Sequence, residues 1–571
     1  MCPKTRRGFL DSLFTSREKK YDILQDPLVK KYANQKSPLG FKHHRASLSA
    51  YTGTWGDKQK IHLLRRTMFG VSPATLNALS SMTMSQAVDV IINAAPANPT
   101  PPLNYYENVY ADPTLVPLGS TWVNAGFGDT TVNFYRLLSI KGWWIQNILN
   151  QSLSIEEKMI FFWHNYFVTE SKVVSQALIQ YPYLDLLRQH ALGNFKQLVK
   201  EITKNPMMLL YLNGHYNIKN SPDENYAREL QELFTLGKGT NLWTEDDVKA
   251  AAKVLTGFRV NSTSTGYVFS PAQHDSGNKV FSAFYNNHVV VGQPGANGEN
   301  ELDDLLNMIF NQDTTVAKHF CRRLYRFFIY YDIDTIIEND IISGLAQTLI
   351  NNNWDVKPVL SQLFKSDHFY DTNTMDCLIR TPLDYYTGMM KTFVVDMPGS
   401  LGLEEEYKAY LKIASLCEQN GLEIGSPPSV SGWPAYYQSP QYHEMWINSD
   451  TIPKRMKNSD DILSTNGVYV TSNFKLKCDV IQFVQTLSDP SNPDTLIDDC
   501  LKYLFALTIS QSKKDEFKSF LLSGQAQNYY WTNAWNDYIT FPSNTTYEGI
   551  VRSRLQNMLV EMCRMAEYHL S

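Results

Sequence analysis

Two glutamates one helical turn apart could supply acid, base or metal-binding chemistry. Within ENYARELQELFTLG, residues 224–237, Glu229 and Glu232 are three residues apart, and Asn225, Arg228 and Glu232 share the polar face of the predicted helix. Carboxylates in this arrangement can converge on one proton or one divalent cation. No E-x-x-H string accompanies them, and a ladder of ion pairs centred on Arg228 explains the same charges without a ligand.

A histidine stands in the apolar helical string SIEEKMIFFWHNYFV, residues 154–168. Such a string predicts a buried helix, and a lone buried histidine is more often a hydrogen-bonded core group than a ligand. Because His164 and Asn165 would both be buried, they need polar partners. Glu229 and Glu232 could supply them, so a shared polar pocket would explain both helices.

The string HDSGNK, residues 274–279, places an imidazole, a carboxylate, a hydroxyl and an amine in one glycine-containing loop. His274, Asp275 and Lys279 are candidate binding residues, because loops on a rigid scaffold often carry binding groups. The alternative is a hydrogen-bonded turn that leads into a strand at Lys279. The spacing of an EF-hand calcium loop is absent.

The string SGWPAYYQSPQYHEMWIN, residues 431–448, is dense in aromatic side chains. Trp433 is its candidate binding residue, because such rings can stack on a sugar. Packing between two helical lobes is the alternative interpretation. His62 with Arg65 and Arg66, near the end of a predicted helix, are expected to be capping or inter-helix groups.

These residues predict one cleft with a divalent metal. The expected catalytic residues are His164, Glu229, Glu232 and Arg228, and the expected metal ligands are His164, Glu229, His274 and Asp275. The expected binding residues are Asn165, Asn225, His274, Asp275, Lys279 and Trp433. The strings G-x-S-x-G, Walker A, G-x-G-x-x-G and H-E-x-x-H do not occur in a suitable setting, which disfavours the common nucleotide-binding and serine-hydrolase sites.

The elements that hold these residues are predicted to form a mainly α, multi-lobed helical array with a small β-hairpin insertion near residues 259–297. Ser154 with Glu157 predicts a capping box before the buried helix. The proline-rich residues 96–130 predict a long loop, a feature that often borders a site. The predicted divisions are a polar tail or wrapping arm 1–56, a helical lobe 57–258, the insertion 259–300, a second lobe 301–460 and a C-terminal helical segment 461–571.

Composition excludes several classes of protein. The 571 residues carry a net charge of -5 without a lysine-rich tract, so nucleic acid is not an expected partner. The seven cysteines include no C-x-x-C pair, which argues against a zinc ribbon and a disulfide framework. No apolar stretch reaches the roughly 18 to 20 residues that a membrane-spanning helix needs. The oligomeric state is not predicted.

Eight strings in a fixed order resemble a known bacterial family. They are HLLRRTMFG, FWHNYF, HALGNF, ENYARELQELFTLG, TEDDVKAAAKVLTGFRV, HDSGNK, CRRLYRFF and SGWPAYYQSPQYHEMWIN. Together they are similar to the family known as domain of unknown function 1800 (DUF1800), over roughly residues 57–460 and in a form like that of Bacteroidetes members. The resemblance implies large, mostly helical, often exported proteins, often encoded beside a sulfatase-like family of the DUF1501 type.

Two functions stay open at this stage. The first is an envelope-associated enzyme, either a metal-assisted hydrolase or a polymer-modifying enzyme, that uses the cleft described above. The second is a non-enzymatic scaffold or binding partner of the neighbouring sulfatase-like protein, in which the same groups form a buried network. An open pocket would favour the enzyme, and a sealed interior would favour the scaffold.

The first residues leave the compartment undecided. Arg6 and Arg7 lie in TRRGFL, which is similar to a twin-arginine export motif, but no apolar signal core follows it. We therefore expect a mobile basic tail and a cytoplasmic location for the chain as given. The periplasm or cell envelope is the alternative.

Overall fold

Capping side chains mark where several helices begin. The structure, a computed structural model, describes residues 47–239, 242–395, 397–505 and 508–571. Ser72, Thr83 and Asp129 each accept a backbone N–H of the turn that follows, as N-cap residues do. The helices before the insertion are α1 Asp57–Met68, α2 Pro73–Ala78, α3 Met84–Ile92, α4 Thr130–Asn150, α5 Glu156–Tyr166, α6 Ala177–Gln189, α7 Phe195–Lys204, α8 Pro206–Tyr211, α9 Asn225–Glu232 and α10 Glu245–Val254.

The capping box predicted for the buried helix α5 is wrong. The helix begins at Glu156, whose N–H donates to Ser154 Oγ at 3.1 Å. The carboxylate of Glu157 instead pairs with Arg188 at 2.6 Å. The predicted burial is confirmed, because every residue of α5 is buried.

Two antiparallel hairpins confirm the predicted β insertion. β1 Phe258–Val260 pairs with β2 Tyr267–Phe269, and β3 Lys279–Val280 pairs with β4 Val289–Val290. A third pair, β5 Val468–Tyr469 with β6 Lys475–Leu476, lies in the segment that was expected to be helical. Strands of two residues are too short to show an alternating pattern in the sequence.

Helices make up most of the remaining described residues, which confirms the mainly α class. Between the insertion and residue 463 they are α11 Glu301–Phe310, α12 Asp313–Phe328, α13 Ser343–Asn351, α14 Val356–Phe364, α15 Pro382–Thr392, α16 Leu403–Glu418 and α17 Thr451–Leu463. A π-helix, Ile337–Ile342, leads directly into α13. The C-terminal helices are α18 Val480–Gln485, α19 Pro493–Leu504, α20 Gln511–Leu521, α21 Tyr529–Thr540 and α22 Thr545–Arg564.

One hydrophobic cluster runs through the described residues from Ile61 to Tyr568. The first helices, the insertion and the C-terminal helices therefore contribute to one continuous core. A smaller cluster, which includes Tyr105 and Tyr407, fixes the proline-rich loop to α16. The boundaries at residues 258, 300 and 460 stay predictions. No helix among the described residues combines the length and the apolar character needed to cross a membrane.

Most of the predicted tail, including Arg6 and Arg7, lies outside the described residues. From residue 47 onward the chain contacts the folded body. The Tyr51 N–H donates to Lys365 O at 2.8 Å, and the Tyr51 ring packs on Tyr370 at a centroid distance of 4.6 Å.

Candidate functional site

His164 is buried among aromatic rings. Its Nδ1 lies 3.3 Å from Tyr183 Oη, and that hydroxyl donates to Phe167 O at 2.5 Å. We therefore assign the imidazole proton to Nδ1, which leaves the Nε2 lone pair without a partner among the described residues. Burial lowers the pKa of His164 to about 3, so the ring is neutral at neutral pH. The adjoining cavity of about 10 Å³ has room for about one water molecule.

Asn165 and Trp433 fasten the aromatic loop to α5. Asn165 Oδ1 accepts the Trp433 N–H at 2.9 Å, and the Asn165 carbonyl accepts a hydrogen bond from Arg323 at 2.9 Å. Gly432 has a φ of 104°, and a Cβ at that position would collide with the Asn165 side chain. The Trp433 ring is 1% exposed and packs on Phe161. It is part of the core and is not an open platform for a sugar.

Arg228 is held by two acidic side chains. It makes two hydrogen bonds to Glu245, at 2.8 and 2.6 Å, and one to Glu224 at 3.2 Å. The hydrogen bonds to Glu245 are the largest cause that raises the pKa of Arg228 above its ordinary value, and the charge of Glu224 adds to the effect. Glu232 pairs with Lys238 at 2.5 Å instead of completing the expected ladder. The charges of α9 are therefore neutralised locally.

Glu229 differs from its neighbours because its Oε2 atom is buried without a hydrogen-bond partner among the described residues. Burial and the nearby charge of Glu232 raise the pKa of Glu229 above its ordinary value. Asn225 is exposed, and its N–H donates to Asp223 at the start of the helix. Among the described residues, neither has a hydrogen bond to His164.

His274 and Lys279 converge on Glu301, a residue that the sequence analysis did not single out. His274 Nε2 lies 3.0 Å from Glu301 Oε1, and Lys279 Nζ lies 2.5 Å from Glu301 Oε2, with all three side chains buried. His274 Nδ1 faces Thr256 O at 2.9 Å. Burial raises the pKa of Glu301, but the hydrogen bonds from His274 and Lys279 lower it by more, so the pKa lies below its ordinary value. The carboxylate of Asp275 accepts the Gly277 N–H and forms a turn.

The predicted site residues thus have separate surroundings. His164 contacts Tyr183, whereas His274 contacts Glu301 and Arg228 contacts Glu245. Across the described ranges, no three His, Cys, Asp or Glu side chains are grouped so that they could hold a metal ion. The expected convergence on one divalent metal finds no support in the geometry.

A different cavity, which we call the cationic pocket, collects basic side chains beside aromatic rings. Four cationic side chains and one acidic side chain, that of Asp384, line it. The cations come from α1, α5 and α12, and most of the rings come from the aromatic loop 431–448. The lining residues are Arg65, Arg66, Lys158, Arg326, Phe327, Tyr331, Leu378, Ile379, Thr381, Asp384, Ala435, Tyr436, Tyr442, His443, Trp446 and Ser571.

Two of the four cations have acidic partners. Lys158 forms an ion pair with Asp384 and lies 4.2 Å from the centroid of the Phe69 ring. Arg65 pairs with Asp376 at 3.2 Å. Burial lowers the pKa of Lys158 and lowers that of Arg65 to about 10, although each carboxylate opposes the change.

Arg66 and Arg326 lie at the cationic pocket without an acidic partner among the described residues. Arg66 is 3% exposed. Its guanidinium donates to the Ile329 carbonyl at 3.3 Å and to the Thr374 carbonyl at 2.9 Å. Its Nε atom is buried and has no hydrogen-bond partner among the described residues. Arg326 donates to the Tyr331 carbonyl at 3.4 Å. Burial lowers the pKa of Arg326. Neither guanidinium forms an ion pair with a described carboxylate, although the more distant charges of Glu338 and Asp332 act on Arg326.

His443 offers the cationic pocket a hydrogen-bond donor. Its Nδ1 accepts the Ile379 N–H at 3.2 Å, so the proton of the neutral ring is on Nε2. Burial and the charge of Arg66 lower the pKa of His443 to about 4. Nε2 is buried without a partner among the described residues, and its N–H is free for an acceptor in the pocket.

A contact between two glycines brings α1 against α15. Gly70 has a φ of 131°, and a Cβ there would lie 2.5 Å from the Gly388 Cα. Only glycine permits this approach. It places the end of α1, which carries Arg65 and Arg66, near Asp384 at the start of α15.

A comparison with known protein families assigns the chain to a family. A family model described as a protein of unknown function (DUF1800) matches residues 62–568. The chain belongs to the DUF1800 family. A search of curated proteins finds no match, and a search of solved structures finds none. The family match extends past residue 460, so the C-terminal helices, which the sequence resemblance did not reach, are part of the DUF1800 match.

The cationic pocket was not predicted from the sequence, because its lining residues come from separate strings and each string was interpreted by itself. Arg65 and Arg66 were expected to be capping or inter-helix groups; both bond to distant segments, and both also line the pocket. Three of the DUF1800 strings meet there: HLLRRTMFG, CRRLYRFF and SGWPAYYQSPQYHEMWIN. The arginines in these largely apolar strings could have indicated the pocket, because a buried arginine needs either an acidic partner or a bound anion.

Proposed function

We propose that this DUF1800 protein binds a small anionic group in the cationic pocket, such as the phosphate, sulfate or carboxylate group of a larger ligand. One observation carries the proposal. Arg66 and Arg326 lie at the pocket without an ion pair to a described carboxylate, and four cationic side chains line it with Asp384 as the one acidic side chain in the lining.

An anion would remove an electrostatic cost that the chain leaves uncompensated. Two like charges taken from water destabilise the folded state unless an opposite charge lies close to them. Guanidinium groups present parallel N–H donors that match the oxygens of carboxylate and phosphate. The Nε2–H of His443 would add a neutral donor beside them.

The size of the pocket limits its occupant. The cavity volume is about 30 Å³ and the pocket is partly open to solvent, which gives room for about two water-sized groups. A polymer cannot enter, but the anionic end of a larger molecule can. The rest of that molecule would lie outside, beside Tyr442, which is partly exposed.

Titration calorimetry with inorganic phosphate, sulfate and acetate, in a buffer free of other oxyanions, tests the proposal. At least one of the three should bind, and added NaCl should weaken binding because the interaction is between charges. Arg326→Met should reduce the affinity at least about tenfold. This variant is preferred to Arg66→Met, because Arg66 also bonds two backbone carbonyls and its loss could disturb folding.

Arg322→Met is the matched control. Arg322 lies one turn earlier on α12 and already pairs with Glu338 at 2.6 Å, so its loss should leave the anion affinity unchanged. If none of the three anions binds, or if the two arginine variants weaken binding equally, the proposal is wrong.

The metal-assisted hydrolase and the scaffold stay predictions. The hydrolase would need His164 to act together with Glu229, Glu232 and Arg228, but the described partner of His164 is Tyr183, whereas the other three lie together on α9. The scaffold needs a sulfatase-like partner of the DUF1501 type, which co-purification from the native source would test. A fusion of the first residues to a reporter enzyme would test export.

A further inference from the structure

A wide groove without charged residues lies apart from the residues of the cationic pocket. It is lined by residues 123–127 of the proline-rich loop, the start of α6, Pro206 at the start of α8, and residues 262–267 of the first hairpin. Its volume is about 810 Å³, which falls within the roughly 300 to 1,000 Å³ of small-molecule sites. We call it the uncharged groove.

The lining of the uncharged groove selects against charged ligands. None of its 16 residues is Asp, Glu, Lys, Arg or His, although 19% of the chain is Asp, Glu, Lys or Arg. A charged ligand entering the groove would lose water of hydration and gain no opposite charge. The groove therefore suits a neutral molecule.

Four polar side chains of the groove are available to a ligand. The amides of Asn124 and Gln176 and the hydroxyls of Ser262 and Thr263 have no hydrogen bond to the described residues. Amides and hydroxyls can both donate and accept hydrogen bonds. Sugar hydroxyls have the same two capacities, so each of these side chains can pair with them in either direction.

An aromatic ring completes the surface. Phe127 is 43% exposed, and the rings of Phe127 and Tyr267 both line the groove. The C–H faces of a pyranose ring pack well on such rings while its hydroxyls point sideways to polar groups. The hairpin contributes mainly its turn and not a strand edge, so an extended peptide would find little main-chain pairing there.

We propose that the uncharged groove binds a neutral oligosaccharide. The proposal does not depend on the cationic pocket, because the two sites share no lining residue. The absence of charged side chains from the lining disfavours acidic and basic polymers, and the mixture of amides, hydroxyls and an exposed phenyl ring fits a sugar.

Calorimetric titration of the full chain with uncharged hexasaccharides of glucose, in several linkages, and of N-acetylglucosamine tests the proposal. At least one should bind. Phe127→Ala, and separately Asn124→Ala with Gln176→Ala, should each reduce that affinity at least about tenfold. These side chains are exposed, so the variants should fold, which a thermal melt would verify.

Phe541→Ala is the control, because Phe541 is 55% exposed and lies outside the groove. It should leave the affinity unchanged. A hexagalacturonate, which carries a carboxylate on every ring, should not bind through Phe127. The proposal is overturned if no neutral hexasaccharide binds at about 10 mM, if Phe127→Ala has no effect, or if the hexagalacturonate binds equally well. Binding of a neutral Ser/Asn/Gly peptide with the same dependence on Phe127 would instead identify a peptide groove.

Discussion

Buried cations at and near the cationic pocket are stabilised in different ways. Arg65 and Lys158 each face a carboxylate, and Arg66 donates to two backbone carbonyls. The charge of Lys391 is stabilised less than the others. Its amine donates to the Met68 carbonyl at 3.0 Å and has no ion pair with a described residue. Burial lowers the pKa of Lys391 to about 7, while Glu157 raises it and Lys158 lowers it further.

The low pKa of Lys391 predicts a pH dependence of stability that Lys391→Met should remove. The amine titrates near 10.5 in the unfolded chain and near 7 in the folded chain. Between these values the unfolded chain binds more protons, so the free energy of unfolding rises with pH. Below the lower value both forms are protonated and this contribution becomes constant. Urea unfolding at several pH values between about 7 and 10.5 should show that the free energy of unfolding of the wild type rises with pH relative to that of Lys391→Met.

Comparison with a second variant isolates this effect from other titrations. Lys477 is exposed, so Lys477→Met should run parallel to the wild type over the same pH range. Buried tyrosines also titrate at the alkaline end, but they do so in all three proteins and cancel in the differences. A constant difference between wild type and Lys391→Met would show that the folded amine keeps its ordinary pKa.

The hydrogen-bond and ion-pair partners of individual side chains could not be predicted from the sequence. The burial of His164 and Asn165 followed from an apolar helical string, but their partners, Tyr183 and Trp433, come from distant segments. Glu301 was not identified because nothing in its local string distinguishes it, although its carboxylate contacts both His274 and Lys279. Spacing along one helix constrains its own face and says little about the opposing one.

Elements were predicted better than side-chain contacts. The hairpin at residues 279–290 was indicated by short valine-containing segments between glycine- and asparagine-rich stretches, and the burial of helices such as α5 was indicated by their apolar composition. The approach of α1 to α15 had no such signal, because it depends on two glycines far apart in the chain, Gly70 and Gly388. A glycine at a helix end predicts a cap and gives no information about a distant partner.

Gly70→Ala should therefore separate α1 from α15. The new Cβ would lie 2.5 Å from the Gly388 Cα, and a φ of 131° is unfavourable for alanine. We expect the free energy of unfolding to fall by more than about 1 kcal/mol. Anion affinity should fall as well, because Arg65 and Arg66 would move away from the other cations of the cationic pocket. Urea denaturation and phosphate titration would measure the two effects.

The opposite result is expected for Gly549→Ala. Gly549 lies inside α22, has no atom within 4 Å of the new Cβ, and has no positive φ. Alanine there should stabilise the chain by about 0.5 to 1 kcal/mol and leave anion binding unchanged. Equal effects of the two substitutions would mean that the contact between Gly70 and Gly388 is not close.

At the scale of the whole molecule, the C-terminal segment closes the cationic pocket. The Arg380 N–H donates to His569 O at 2.8 Å, and the Ser571 N–H donates to Leu378 O at 2.8 Å. The His569 ring stacks on Tyr385 at a centroid distance of 5.2 Å. The sequence divided the chain at residue 460, yet these contacts join the last residues to the start of α15, where Asp384 lies.

A chain that ends at residue 460 should therefore lose both cooperative folding and anion binding. It would expose the apolar residues of α15 and α17 that the C-terminal helices cover, because one hydrophobic cluster includes residues on both sides of this boundary. Near-ultraviolet circular dichroism on heating should show no sharp transition, and size-exclusion chromatography should show association. A shorter truncation, ending at residue 565, keeps α18–α22 and removes the 3-10 helix Ala566–His569 and the two residues after it, which bond to the segment before α15. It should retain a cooperative melt but bind phosphate more weakly than the full chain. If the chain ending at residue 460 melts cooperatively and phosphate still stabilises it, the C-terminal segment is an independent unit and the pocket forms without it.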